Sequence, residues 1–362
     1  MTEVQDESRP VRDEDAFDVG AVEAWLRASG PGLGRITEVR QFPGGASNLT
    51  YLLRLEPADG AVGGQELILR RPPTGTKAKG AHDMSREYRI QAGLGPVFPQ
   101  VARMIAYATE ADSPIGAELY VMERVSGVIP RKEFPFEMPP EQVSALCRSA
   151  AETLVALHSV DVQAVPDLAA LNRGEGYVAR QVGGWTTRFG NARTDDTGDW
   201  DDITAWLAAH QPADVDQCMI HNDYRFDNMV LDAGDPTRIV ALLDWELATV
   251  GDPLMDLGGA LAYWVEAGDD EFFQAFRRQP TTTPGMWTRE RVVEHYCERM
   301  GFEVTPERWR FYEVFGLFRL AVIAQQIWYR YVHRQTTNEA YAVLGAAVGY
   351  LESRCRSLIG TV

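Results

Sequence analysis

The apolar residues of this chain change their period once, near residue 125, and that change limits the folds open to it. Before it, the short runs RITEVRQF, LTYLLRL and QELILRR are separated by PGGASN and EPADGAVGG, whose Gly, Pro, Asn and Asp residues mark turns. Three antiparallel strands are expected, followed by a helix over MSREYRIQAGL and a strand over 118–125. Ahead of them, DVGAVEAWLRASG reads as an amphipathic helix with Asp18 as N-cap and Gly30 as stop.

Beyond the change the pattern is helical. Val143, Leu146, Leu154 and Leu157 fall near helical spacing, and further helices are expected around 287–300, 306–333 and 338–358. One hairpin interrupts them, with MVLD and RIVALLD joined by the turn AGDPT. At 362 residues there is length for about two lobes. The expected division is a polar, mobile tail over 1–16, a strand-rich lobe over 17–124 and a helix-rich lobe over 125–362, an α+β chain.

Charge removes one class of function. Lys and Arg number 35 against 52 Asp and Glu, and a formal charge of −17 repels a phosphodiester backbone, so no nucleic-acid partner is expected. FYEVFGLFRLAVIAQQIW (311–328) carries Glu313, Arg319 and a Gln pair, which suits a buried helix better than a membrane span. The four cysteines are far apart, with no CxxC pair, and the acidic N-terminus has no apolar signal segment; both fit a cytoplasmic protein.

The hairpin points to the chemistry. It returns the chain to its starting end, so HNDYRFDN before it and DWELATVGD after it are expected to be neighbours. Asp223, Asn228 and Asp244 would then offer two carboxylates and an amide oxygen to one cation. Hard oxygen ligands of this kind suit Mg²⁺, which takes few protein ligands and fills its other positions with phosphate oxygens and water.

The string His221-x-Asp223-x(4)-Asn228, followed by Asp244 after a hairpin, resembles the signature of the aminoglycoside phosphotransferases and choline kinases. The resemblance implies a bilobal protein-kinase-like fold that uses ATP and Mg²⁺. Asp223 would orient and deprotonate the acceptor hydroxyl, while Asn228 and Asp244 would hold the metal. It also implies an upstream basic residue paired with a helical glutamate. Arg70 stands at that position instead of lysine, with Glu87 as its partner. Gly44 and Gly45 would lie over the phosphates, and the backbone of Glu123 and Val125 would hold the adenine edge.

Other residues read more plainly. His221 is expected to fix the loop by hydrogen bonding, Asp227 to face solvent or cap a turn, and Asp252 and Asp256 to serve as loop and helix-cap carboxylates. No long activation segment ending in A-P-E follows Asp244, so a small-molecule hydroxyl acceptor is favoured over a peptide. RTDDTGDWDD either attracts a cationic acceptor or is a solvated acidic loop, and Trp185 and Arg188 either line a pocket or pack. LILRRPP, YVMERVSG and LLDWELATVGDP are also similar to the kinase-like domain attached to some acyl-CoA dehydrogenases, over roughly 35–330, which adds hydroxyacyl-CoA to the candidate acceptors. Because lysine is replaced by Arg70, a non-catalytic nucleotide-binding scaffold is the alternative. A metal-dependent hydrolase is a third reading.

Overall fold

Strand-forming sequence before residue 125 builds one antiparallel sheet of six strands in the computed structural model, which describes residues 8–30, 32–43, 48–57, 64–73 and 83–360. In chain order the elements are β1 (Arg9–Pro10), α1 (Val19–Ser29), β2 (Ile36–Gln41), β3 (Leu49–Leu55), β4 (Gln65–Arg71), α2 (Met84–Leu94), β5 (Met104–Ala108) and β6 (Leu119–Glu123). The strand order is β1-β2-β3-β4-β6-β5, and every neighbouring pair is antiparallel.

Both faces of this sheet are covered, which explains why its central strands read as nearly continuous apolar runs. Tyr51, Leu53 and Leu55 of β3 pack with Leu67 and Leu69 of β4 against Val22 and Leu26 of α1. The alternate residues, Leu52, Ile68, Tyr120 and Met122, pack on the other side with Met84 of α2. The helices start where expected: the Asp18 carboxylate accepts from Ala21 N–H at 3.0 Å, and that of Asp83 from Arg86 N–H at 2.9 Å.

Two elements here were not anticipated. β5 comes from MIAYA, too short a run to separate from loop by periodicity alone. β1 is a two-residue edge strand ending in proline, which an edge tolerates because no ladder donor is needed there. The expected mobile tail is also tied down over its described part. Asp15 is buried, accepts from the Gln41 amide at 2.8 Å, and lends its carbonyl to Tyr51 Oη at 2.8 Å and Arg71 Nη2 at 2.9 Å.

The helical sequence forms α3 (Pro140–His158), α4 (Pro166–Ala169), α5 (Tyr177–Asn191), α6 (Asp201–His210) and the short strand β7 (Cys218–Ile220). The hairpin follows as β8 (Met229–Leu231) and β9 (Ile239–Leu242), then β10 (Thr249–Gly251), α7 (Pro253–Leu261), α8 (Glu271–Ala275), α9 (Arg289–Met300), α10 (Pro306–Val332) and α11 (Leu344–Ile359). Contacts divide the described chain into two units. One runs to Ile129 and adds Met229–Glu246, and the other holds Pro130–Asn228 and the residues from Leu247 onward. The hairpin therefore belongs with the sheet, not with the helices that flank it in sequence. Val128 and Leu231 exchange backbone hydrogen bonds at 2.8 Å, and Leu242 N–H donates to the Gln100 carbonyl at 2.8 Å.

Within the helical unit, α10 buries Phe311, Tyr312, Phe315, Phe318 and Val322. Among the described residues no helix is long and apolar enough to cross a membrane. α7 and α10 cross through glycine: a Cβ on Gly316 would lie 2.3 Å from the Gly258 carbonyl oxygen, and one on Gly258 would lie 2.7 Å from that of Tyr312. Alanine in a helix normally gains about 1 kcal/mol over glycine. Gly316→Ala should instead lower the unfolding free energy by about 1–3 kcal/mol through overpacking. Gly349→Ala on α11, where nothing lies within 4 Å, should be neutral or stabilising. Chemical denaturation of both variants checks the contrast.

Candidate active site

β7 ends at Ile220, paired with Thr249 of β10, and the chain turns at once into HNDYRFDN. Asn222 takes the left-handed φ of 64°, uncommon for a residue with a side chain, so the turn needs outside support. A buried carboxylate on α7 supplies it. Asp256 Oδ2 accepts from His221 N–H at 2.8 Å and Oδ1 from Asn222 N–H at 2.7 Å, while His158 Nε2 stands 3.1 Å from Oδ2. Burial opposes the Asp256 charge, yet His158 and the His221 backbone outweigh it and hold the carboxyl below its ordinary value.

This corrects one reading of the sequence. Asp252 is the helix cap, accepting from Met255 N–H at 2.9 Å and also from Val215 N–H at 2.7 Å, but Asp256 is an anchor for the loop. His221 is fully buried, and its Nδ1 accepts from Asp223 N–H at 3.2 Å, so the ring fixes the loop. The same bond places Asp223. Its carboxylate is held on both oxygens: Arg225 Nε stands 3.2 Å from Oδ1, and the Asn228 amide donates to Oδ2 at 2.8 Å and to the Asp223 carbonyl at 2.9 Å. With its NH₂ so committed, Asn228 keeps its amide oxygen as the atom it can offer a cation.

Asp227 lies 3.3 Å from the Arg225 guanidinium, which also covers the Tyr263 ring at 4.7 Å. Burial raises the Asp227 carboxyl, Arg225 pulls it down, and the neighbouring Asp223 charge pushes it up again, leaving it above the usual range. Asp227 thus shares the cation that restrains Asp223.

In the sheet unit, Arg70 of β4 gathers a second group. Its Nη1 is 3.1 Å from Glu87 Oε2 and 3.3 Å from Tyr120 Oη, and its Nη2 is 3.7 Å from Asp244 Oδ1. Glu87 is 2% exposed, so its carboxylate requires partners: Tyr120 Oη donates to it at 2.8 Å and the Asn48 amide at 2.9 Å. Burial opposes the Arg70 charge, but Tyr120, Glu87 and Asp244 together raise its pKa. For Glu87 burial wins and raises the carboxyl above its ordinary value, against Arg70. An ion pair with a strongly held guanidinium is the state these contacts describe. Arg70 Nε is buried with no hydrogen-bond partner among the described residues, and the Asp244 side chain, at a backbone φ of 63°, is 41% exposed. The Asp244 carboxylate is thus the accessible member of this group.

Glu123 ends β6, its N–H bonded to the Arg103 carbonyl at 2.9 Å, whereas the Val125 N–H has no hydrogen bond among the described residues. Gly44 and Gly45 lie outside the described residues. No cluster of three or more His, Cys, Asp or Glu that could hold a metal occurs among the described residues, and the proposed metal set is carboxylate plus amide.

The profile of the phosphotransferase enzyme family matches residues 38–293. The chain belongs to this family. It is 32% identical over 346 residues to acyl-CoA dehydrogenase family member 11 of Mus musculus, an alignment that takes in 93% of the chain and 43% of that protein. The chain thus spans less than half the length of this relative. A solved structure from Ralstonia eutropha, assigned provisionally to the aminoglycoside phosphotransferases, is 29% identical with a TM-score of 0.78 and covers 95% of this chain and 98% of its own. Choline kinase from Cryptosporidium parvum shares the fold at 10% identity and a TM-score of 0.59, over 94% of this chain and 96% of its own.

Family membership agrees with the resemblance carried by HNDYRFDN and Asp244, but the roles of four residues in these two clusters needed the structure: Arg225, Asp256, Tyr120 and Asn48. The one local hint was a lone carboxylate, Asp256, in the otherwise apolar PLMDLGGAL. Asp256→Asn keeps the size but turns an NH₂ toward a backbone donor. It should cost about 1–3 kcal/mol of stability at neutral pH. Because the wild-type carboxyl is held low, its contribution is present above about pH 4 and is lost as pH falls through its depressed value. Denaturation of both proteins from pH 7 down to acid should show the gap closing only in that acid range.

Proposed function

We propose that this chain transfers the γ-phosphoryl group of ATP to a hydroxyl of a small molecule. The observation that carries the reading is the restrained Asp223 carboxylate, held by Arg225 and Asn228 at the end of β7. Phosphoryl transfer asks the protein chiefly for position and charge, and a fixed carboxylate that can accept the hydroxyl proton meets the first demand. Arg70 meets the second, with a guanidinium already ordered by Glu87 that brings positive charge beside Asp244. Val125 offers a backbone donor of the type an adenine edge takes.

The Asn228 amide oxygen and the Asp244 carboxylate are each donors of the kind Mg²⁺ takes, and such an ion when bound would offset the phosphate charge. Asp223 holds the acceptor hydroxyl and takes its proton. For the acceptor, hydroxyacyl-CoA species rank beside aminoglycosides and choline-like amines, because the relative in mouse is named an acyl-CoA dehydrogenase family member.

The scaffold alternative rests on Arg70 in place of lysine, and the formed Arg70–Glu87 pair at 3.1 Å weighs against it. ADP formation from Mg-ATP across a panel of these acceptors tests the reading, and binding of ATP with no transfer to any of them would favour the scaffold. Asp223→Ala should lower turnover by about 10²–10⁴-fold while ATP affinity stays within a few-fold. Equal loss of both would remove Asp223 from the acceptor role. Asp244→Ala should weaken Mg-ATP binding by calorimetry at least about tenfold, or about 1.4 kcal/mol.

A further inference from the structure

The peptide group joining Asn222 to Asp223 is gripped on both edges. Its N–H donates to His221 Nδ1 at 3.2 Å, and its carbonyl accepts from Arg319 Nη2 at 2.5 Å. Arg319 comes from α10, 97 residues away, where the sequence marks it only as a charge in a largely apolar stretch. It is 8% exposed and forms no carboxylate ion pair among the described residues. Burying a guanidinium without a carboxylate is costly unless its hydrogen bonds and neighbours compensate. Here the compensation is the Asn222 carbonyl and the Trp185 ring, whose centroid lies 5.4 Å from the guanidinium carbon. Gly259 of α7 makes room, because a Cβ there would stand 2.7 Å from Arg319 Nη1.

The rest of Asn222 is fixed by other groups. Its N–H goes to Asp256, and its side-chain amide donates to the Leu247 carbonyl at 3.1 Å and to Tyr177 Oη at 3.3 Å. Among the described residues only Arg319 holds the carbonyl. Rotation of this peptide plane would swing the Asp223 Cα and its carboxylate, and Asn222 already sits at a positive φ that the surroundings must enforce.

We propose that Arg319 is a positioning residue for phosphoryl transfer: its charged hydrogen bond sets the plane of the Asn222–Asp223 peptide and thereby the aim of the Asp223 carboxylate. This rests on the role given to Asp223 above. A charged donor holds a carbonyl about twice as strongly as a neutral one, and a displacement of about 1 Å in a catalytic group can cost about 100-fold in rate.

Arg319→Met, Arg319→Lys and Gly259→Ala test it. The last removes no polar group and displaces the guanidinium through one added methyl. Arg319→Met and Gly259→Ala should both lower kcat about 10- to 100-fold, with the Kd for Mg-ATP within twofold. Arg319→Lys, which can still donate to the carbonyl, should recover part of that loss. Amide exchange by mass spectrometry should quicken in the peptide covering 221–228 and stay unchanged over the β3–β4 sheet. A kcat within threefold of wild type in Arg319→Met, or a lysine variant no better than the methionine one, overturns the proposal. If wild type forms no ADP with any acceptor, the function proposed above fails, and the exchange arm still decides the anchor: quickening over 221–228 supports it and unchanged exchange overturns it.

Discussion

A single buried carboxylate organises the loop that carries Asp223. β7 and β10 pair over only three residues each, too little ladder to hold the loop that follows, and Asn222 leaves β7 with a left-handed backbone. Asp256 replaces the missing ladder by accepting two successive backbone N–H groups. A neutral acceptor would have one oxygen for two donors, while a carboxylate has two, and that difference justifies burying a charge there. The carboxylate can serve only if α7 is fixed. Asp252 caps the helix and ties it to Val215, and the glycine crossing with α10 lets the two helices approach backbone to backbone. The same close approach brings Arg319 within reach of the Asn222 carbonyl.

In the sheet unit, Arg70 plays a role that lysine could not copy atom for atom. One guanidinium nitrogen meets Glu87 and Tyr120 while another faces Asp244, so a planar fork serves two carboxylates at once. A single ammonium would have to choose. Lysine would bring the same unit charge on one nitrogen, whereas removing the cation altogether would leave the buried Glu87 with Tyr120 and Asn48 as donors, at a typical cost of about 3–5 kcal/mol. The arginine is therefore a different solution to the same electrostatic demand, with Tyr120 recruited to complete it.

Much of the fold was legible because the period of the apolar residues records which faces are buried. β3 and β4, α1 and α2, the hairpin and the three last long helices all stood out, since each buries a regular stripe or a continuous run. What stayed hidden has no local signature. β1 and β5 are short, and Asp15 looked like part of an acidic tail because its partners, Gln41, Tyr51 and Arg71, lie 26 to 56 residues away. For the site, the spacing of Asp223 and Asn228 was readable because their mutual hydrogen bond spans only five residues. The supports from Asp256 and Arg319 span 34 to 97 residues and depend on how helices cross. Motif reading finds groups that act on ligands; the groups that aim them are set by packing.

The same reasoning bears on the acceptor. RTDDTGDWDD left open whether its five aspartates attract a cation or simply face water. In the structure most of them are committed elsewhere. Asp196 accepts from Trp328 Nε1 at 3.1 Å, Asp202 binds the Arg356 guanidinium at 2.8 Å, and Asp199 and Asp201 face Arg193 at 4.0 and 3.5 Å. Arg356 also reaches Glu352, so this segment fastens α6 to α11. Exposed pairs of this kind contribute little each, about 0–1 kcal/mol, but they neutralise much of the field that a cationic acceptor would need. Meanwhile, at the Asp223 loop, Arg225 holds the Asp223 carboxylate and Arg319 the Asn222 carbonyl. The aspartates of RTDDTGDWDD therefore act chiefly as fasteners within the helical unit, and the positive groups beside Asp223 serve its own placement.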